Sequence, residues 1–241
     1  MDPLNHKIEK ISNFGTSEPW VARMTFSLIG LVENLPYSKT QIDEIKKWLF
    51  EISKELNAAF EALLEVEKLE KQKDSALYSK NAQYQNLYSA LWRAYKDRFQ
   101  KTCEQIGYDI GFLFEDDGKF ERKSLEFIKN NPEIPDRFRK MLKIDRRVWQ
   151  NGLSDFRNLY IEHKKIGDGI EKIFYRPDSA RNIFDNVWQT IEESIAIVID
   201  GKLAEPLAVA EIPEKDRNPD CPVRFKIGLT PKAYESLKNA K

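Results

Sequence analysis

The chain has 241 residues, with 39 basic and 39 acidic side chains, 41% hydrophobic residues and 12% aromatic residues. That length can bury a substantial core in one large domain, or in a bundle with a small appendage, and the aromatic content excludes a disordered chain. Charges that cancel exclude a global field drawing the protein to nucleic acid or to an anionic membrane, so any such binding has to be local.

Cys103 and Cys221 are the only cysteines, and His6 and His163 the only histidines. Two distant thiols do not make a secreted disulfide framework, and these four residues have no zinc-like spacing. No metal and no cofactor is therefore expected. The opening MDPLNHKIEK has acid and proline where a signal peptide would have a basic start and an apolar core. No apolar run approaches roughly 18 residues, the length of a membrane span. The protein is accordingly read as cytoplasmic, with no membrane partner.

Residues 1–38 are mixed, and Trp20 to Leu35 reads either as a short helix or as an extended piece covering a bundle. From Ser38, a good N-cap, Ile42, Ile45, Leu49, Ile52, Leu56, Ala59, Leu63 and Val66 recur in steps of three and four. That is the buried stripe of a long helix. The charges between them, such as Glu55, Glu61, Glu65 and Lys68, form its solvated face.

A second long helix is predicted from about Asp74 towards Phe114, with Tyr84, Leu87, Leu91, Tyr95, Phe99, Ile106, Ile110 and Leu113 on its apolar side. At this spacing the aromatics predict core packing rather than a platform for bases. Asp116-Asp117-Gly118 breaks the pattern, a short amphipathic segment around Leu125 to Ile128 follows, and Asn130-Asn131-Pro132 with Pro135 closes it. The acidic Glu115-Asp116-Asp117 reads as a solvated turn. A third long helix begins near Asp136, carries Met141, Leu142, Val148, Trp149, Leu153, Phe156 and Tyr160 inward, and stops at Gly167-Asp168-Gly169.

After a loop or short strand over Ile170–Tyr175, Asp178 or Ser179 caps a fourth helix. Ile183, Val187, Trp188, Ile191 and Ile195 face inward along it, and Gly201 is its stop. Beyond it, prolines punctuate two short apolar runs, Leu207–Ile212 and Val223–Ile227, that predict a hairpin. Thr230-Pro231 opens a short terminal helix. The expected fold is all-α, a bundle of four main long antiparallel helices over residues 1–202, its core about 38–200. Residues 203–241 are expected to form a small appendage of hairpin and helix. No internal repeat, low-complexity tract or phosphate-cradling glycine loop is found.

One stretch carries candidate chemistry: Arg157-Asn158, with His163 six residues after the arginine, near the end of the third helix. His163 lies three residues past Tyr160 and seven past Phe156, which sets it with the apolar face, towards a core or an interface. In a regular helix, six residues put Arg157 and His163 about 120° apart, so convergence of the two requires a distorted turn.

Arg157, Asn158 and His163 resemble the RNxxxxH signature of HEPN domains, all-α bundles that include toxins, antiphage proteins and RNA-cutting enzymes. The likeness covers roughly residues 38–200 as architecture and seven residues as motif. It implies a metal-independent endoribonuclease, a toxin or antiphage defence effector. In that role His163 takes the 2′-hydroxyl proton, Arg157 holds the charged phosphate oxygens, and Asn158 orients the imidazole or binds a phosphate or sugar oxygen. Lys164 and Lys165 would add local positive charge for substrate binding. It also implies a homodimer whose two motifs share a cleft, an RNA substrate, and a cognate antitoxin or other protein partner.

Two other readings fit the same residues. Arg157 as a salt-bridging residue and His163 as a partly buried helix residue give a non-catalytic helical module that binds a protein or nucleotide. The long helix from Ile42 to Val66 would alternatively hold a purely structural dimer.

Overall fold

A computed structural model describes residues 19–71, 77–158, 176–217 and 223–239. Among the described residues the chain is mostly helical, with one small two-stranded sheet. Helix α1 (Pro19–Val32) resolves the ambiguity before Ser38 in favour of a helix. Its Met24, Leu28, Leu31 and Val32 are buried.

Helix α2 (Lys39–Glu70) begins in a capping box. The Ser38 backbone N–H donates to Gln41 Oε1 at 3.1 Å, and the Gln41 N–H donates to Ser38 Oγ at 3.4 Å. The whole predicted stripe from Ile42 to Val66 is buried, joined by Phe60 and Ala62. This helix packs on α1, on the rod that follows it and on the helix over Pro177–Asp200.

That rod joins α3 (Leu77–Trp92), a π-helical segment π1 (Arg93–Phe99) and α4 (Gln100–Ile106), with helical backbone across both joints. It ends sooner than predicted. Gly107 adopts φ 99, the left-handed conformation only glycine takes without strain, and the Tyr108 N–H closes back onto the Cys103 carbonyl at 2.9 Å. Ile110 and Leu113 nevertheless reach the core, the latter from a 3₁₀ turn over Gly111–Phe114. Cys103 is a buried thiol whose pKa is pushed well up by that burial.

Helix α5 (Asp117–Asn130) is capped by Asp116, which accepts from the Lys119 N–H at 2.9 Å. The acidic turn before it is thus used in capping and in ion pairs of Glu115 with Lys123 and of Asp117 with Arg146. A second interrupted rod follows: α6 (Asp136–Asp145), a π-helical segment π2 (Arg146–Gln150) and α7 (Asn151–Phe156), with Arg157 and Asn158 again in π geometry. The wider i→i+5 turns change which side chains face in. Val148, predicted inward, is 64% exposed, while Trp149 and Gln150 are both buried.

Helix α8 (Pro177–Asp200) starts earlier than Asp178 or Ser179 would place it. Pro177 supplies a φ already suited to the first helical position, and Arg176 precedes it in extended conformation. Strands β1 (Leu207–Glu211) and β2 (Phe225–Leu229) pair antiparallel, with Val209 opposite Ile227, and α9 (Pro231–Asn239) ends the described chain. The sheet is tied to the helices. Phe225 is buried in the shared core, its N–H donates to Ser27 Oγ at 3.1 Å, and Arg224 reaches Glu193 on α8 at 3.0 Å. Among the described residues no helix is long and apolar enough to cross a membrane.

Candidate functional site

The two π-helical segments meet. Tyr95 of π1 places its ring edge-on to Trp149 of π2, with centroids 4.7 Å apart, and packs against Phe99 and Phe114, each at 5.5 Å. Complete burial pushes the Tyr95 phenol far above its ordinary pKa, so it remains a donor, and its hydroxyl donates to Gln150 Oε1 at 3.2 Å. The Gln150 amide in turn donates to the Leu113 carbonyl. A regular helix would expose part of this set; the π turns bring it inside, where the Tyr95 hydroxyl and the Gln150 amide find partners.

Arg146 does the heaviest structural work. Only 7% exposed, its guanidinium donates to the Leu113 carbonyl at 2.8 Å, to the Glu115 carbonyl, and to Asp117 Oδ1 at 2.6 Å, and it lies 4.9 Å from the Phe120 ring centroid. These bonds pin the 3₁₀ turn to π2, and the guanidinium holds the Asp117 carboxyl below the usual range. At the preceding residue, burial raises the Asp145 carboxyl, an effect opposed by the Thr190 hydroxyl donating to its Oδ2 at 3.0 Å.

Beside this buried network is a recess of about 180 Å³. Trp92 and Lys96 line it from the first rod, and Leu113, Phe114 and Glu115 from the turn. Arg146, Gln150, Asn151, Ser154, Arg157 and Asn158 line it from the second rod. Of the predicted site residues, the structure therefore brings Arg157 and Asn158 to one recess. Arg157 Nη1 donates to Asn158 Oδ1 at 3.4 Å, and its guanidinium carbon is 5.7 Å from the Trp92 ring centroid. His163, Lys164 and Lys165 lie outside the described residues, as do His6, Cys221 and Tyr160. Arg157 and Asn158 are in π-helical geometry, and the turn from there to His163 lies outside the described residues.

The recess is locally basic although the chain is neutral. Lys96, Arg146 and Arg157 face one carboxylate, Glu115, which Lys123 binds at 2.5 Å and holds below the usual range. Lys96 Nζ sits 5.6 Å from the Trp92 centroid and 5.8 Å from that of Phe114, and among the described residues it forms no ion pair. Such a cluster of donors suits an anion with several oxygens, phosphate being the common biological case.

Reading the motif alone misses Trp92, Lys96, Arg146, Gln150 and Ser154. Part of that set is visible in the letters: Arg146, Gln150, Ser154 and Arg157 recur in steps of four, four and three, a polar stripe on one side of a helix. Trp92 and Lys96 have no such signal, because only the tertiary fold brings them to Arg157. Compared with models of known protein families, with curated proteins and with solved structures, the chain matches none.

Proposed function

We propose that the chain is a HEPN-like, metal-independent endoribonuclease, a toxin or antiphage effector. In this reading four main long antiparallel helices carry the site, and two copies complete it. The observation that supports this most is Arg157 and Asn158 opening, at a break in regular helix geometry, onto a recess with an excess of cations.

In this reading His163 accepts the 2′-hydroxyl proton as that oxygen attacks the adjacent phosphorus. The new bond joins the 2′-oxygen to phosphorus, and the bond to the 5′-oxygen breaks. The leaving 5′-oxygen takes a proton from the second copy's histidine or from water, giving a 2′,3′-cyclic phosphate and a 5′-hydroxyl. Arg157 binds the extra charge on the non-bridging oxygens as the phosphorane forms. Asn158, its carbonyl oxygen already held by Arg157, keeps its amide N–H groups for the imidazole or for a sugar or phosphate oxygen. Lys164 and Lys165 add positive charge beyond the histidine.

RNA incubated with the full chain in EDTA tests this. Cleavage is expected from the wild type and a loss of about a hundredfold or more from His163→Ala and from Arg157→Ala, in line with removing a proton-transfer group or a charge-stabilising donor. Cleavage that survives both substitutions, or is absent throughout, ends the enzyme reading. The contact of Arg157 with Trp92 favours a second reading, in which the arginine is a packing residue of a non-catalytic protein- or nucleotide-binding module. In that case Arg157→Ala lowers stability, and no RNA is cut.

A further inference from the structure

We infer that Lys96, from π1, is a second cation for the same phosphodiester that Arg157 holds, in a recess that admits the phosphate and excludes the base. This rests on the reading of the recess as the RNA site. Lys96 and Arg157 come from different rods yet flank one indole, at 5.6 and 5.7 Å from the Trp92 ring centroid, and both line the recess. Arg146 and Glu115, which also line it, have strong partners. Arg146 is committed to two backbone carbonyls and Asp117, and Glu115 to Lys123.

Lys96 differs. Rings hold its ammonium in place without cancelling its charge, and among the described residues no carboxylate pairs with it. Elsewhere on the helices, lysines of similar exposure have acidic partners, as in Lys101 with Glu104 and Lys123 with Glu115. An ammonium positioned but not neutralised, facing a recess, is arranged to gain an anion.

Size and burial decide which part of a nucleotide enters. At about 180 Å³ the recess is smaller than the roughly 300–1,000 Å³ typical of small-molecule sites. Trp92, its largest aromatic wall, is only 6% exposed and offers no open face for stacking a base. A phosphate group with its oxygens suits the space and the donors. Binding in this recess is therefore independent of base identity, and any preference for a particular RNA arises outside it.

The test uses the full chain carrying His163→Ala, so that RNA persists, with short single-stranded uridylate and adenylate homopolymers in EDTA. Lys96→Gln should weaken binding to both homopolymers about tenfold, the loss of one charge-assisted contact. It should also lower the slope of log affinity against log salt by about 0.7 between about 50 and 200 mM. Lys96→Arg should restore most of the affinity, while Lys140→Gln, at an exposed lysine paired with Asp136, should change neither quantity.

A change below twofold, or one confined to a single homopolymer, overturns the inference. Should Arg157→Ala weaken RNA binding where Lys96→Gln does not, only the Lys96 assignment falls. Inorganic phosphate titrated against the Trp92 indole N–H resonance separates the remaining cases. Lys96-dependent shifts in a protein that cuts no RNA keep this inference and reject the nuclease, whereas Lys96-independent shifts with no Lys96-dependent RNA binding reject the inference.

Discussion

Helix α2 and the shorter rod from Asp136 to Asn158 have opposite characters. The first is regular over Lys39–Glu70 and turns an almost purely apolar stripe to the core. The second switches to π geometry at Arg146–Gln150 and again at Arg157, and carries a guanidinium and a primary amide into the interior. A regular helix can bury one stripe cheaply, because its backbone is satisfied within itself and its apolar side chains ask only for contact. Bringing polar groups inside requires partners, and the π turns supply the rotation that lets Arg146 and Gln150 reach the Leu113 carbonyl. One rod is scaffold; the other trades regularity for a site.

If that contrast is right, substitutions in the two rods should fail differently. Leu56 on α2 is completely buried, so Leu56→Ala should cost about 2–5 kcal/mol in urea unfolding. The cleavage rate per folded molecule should not change. A large loss of rate with little loss of stability would mean that α2 belongs to the site after all.

Arg146→Met should cost somewhat less, about 1–3 kcal/mol for the Glu115 carbonyl left without a donor, because Gln150 still donates to the Leu113 carbonyl. It should also abolish RNA cleavage at temperatures where the variant remains folded, because the turn bearing Phe114 and Glu115 loses its anchor. Retained cleavage would separate the turn from the site.

The smallest effect should come from pH. The folded-state pKa of Asp145 is raised by burial, so its ionisation opposes folding. That penalty is absent below the usual carboxylate pKa and grows as pH rises through the raised one. Asp145→Asn, which keeps an acceptor for Thr190, should therefore gain stability relative to wild type on going from acid to neutral pH. A gap that stays constant with pH, measured by thermal unfolding at several values, would show that Asp145 has the same pKa in the folded and unfolded states and contradict the raised one.

Much of the scaffold is readable from the letters because it obeys one period. Ser38 announces the start of α2, and the stripe from Ile42 to Val66 follows in steps of three and four. Where the period is broken, reading fails in instructive ways. Ile110 and Leu113 keep helical spacing after Gly107 has ended the helix, and they reach the core through a different backbone route. Val148 has the right composition for the core and the wrong phase, since spacing cannot reveal an inserted residue.

The site divides the same way. Arg157 and Asn158 are adjacent letters and can be picked out as a pair. Trp92 and Lys96 lie more than sixty positions earlier, and only the packing of two irregular rods brings them to the same recess.

The most direct test is the chemistry of the cut end. Metal-free digestion of RNA by the wild type, followed by ³¹P spectroscopy of the products, should show a 2′,3′-cyclic phosphate that is missing when Arg157→Ala or His163→Ala replaces it. Products bearing only 5′-phosphates, formed only when a divalent cation is supplied, would contradict an in-line attack by the 2′-hydroxyl supported by Arg157 and His163.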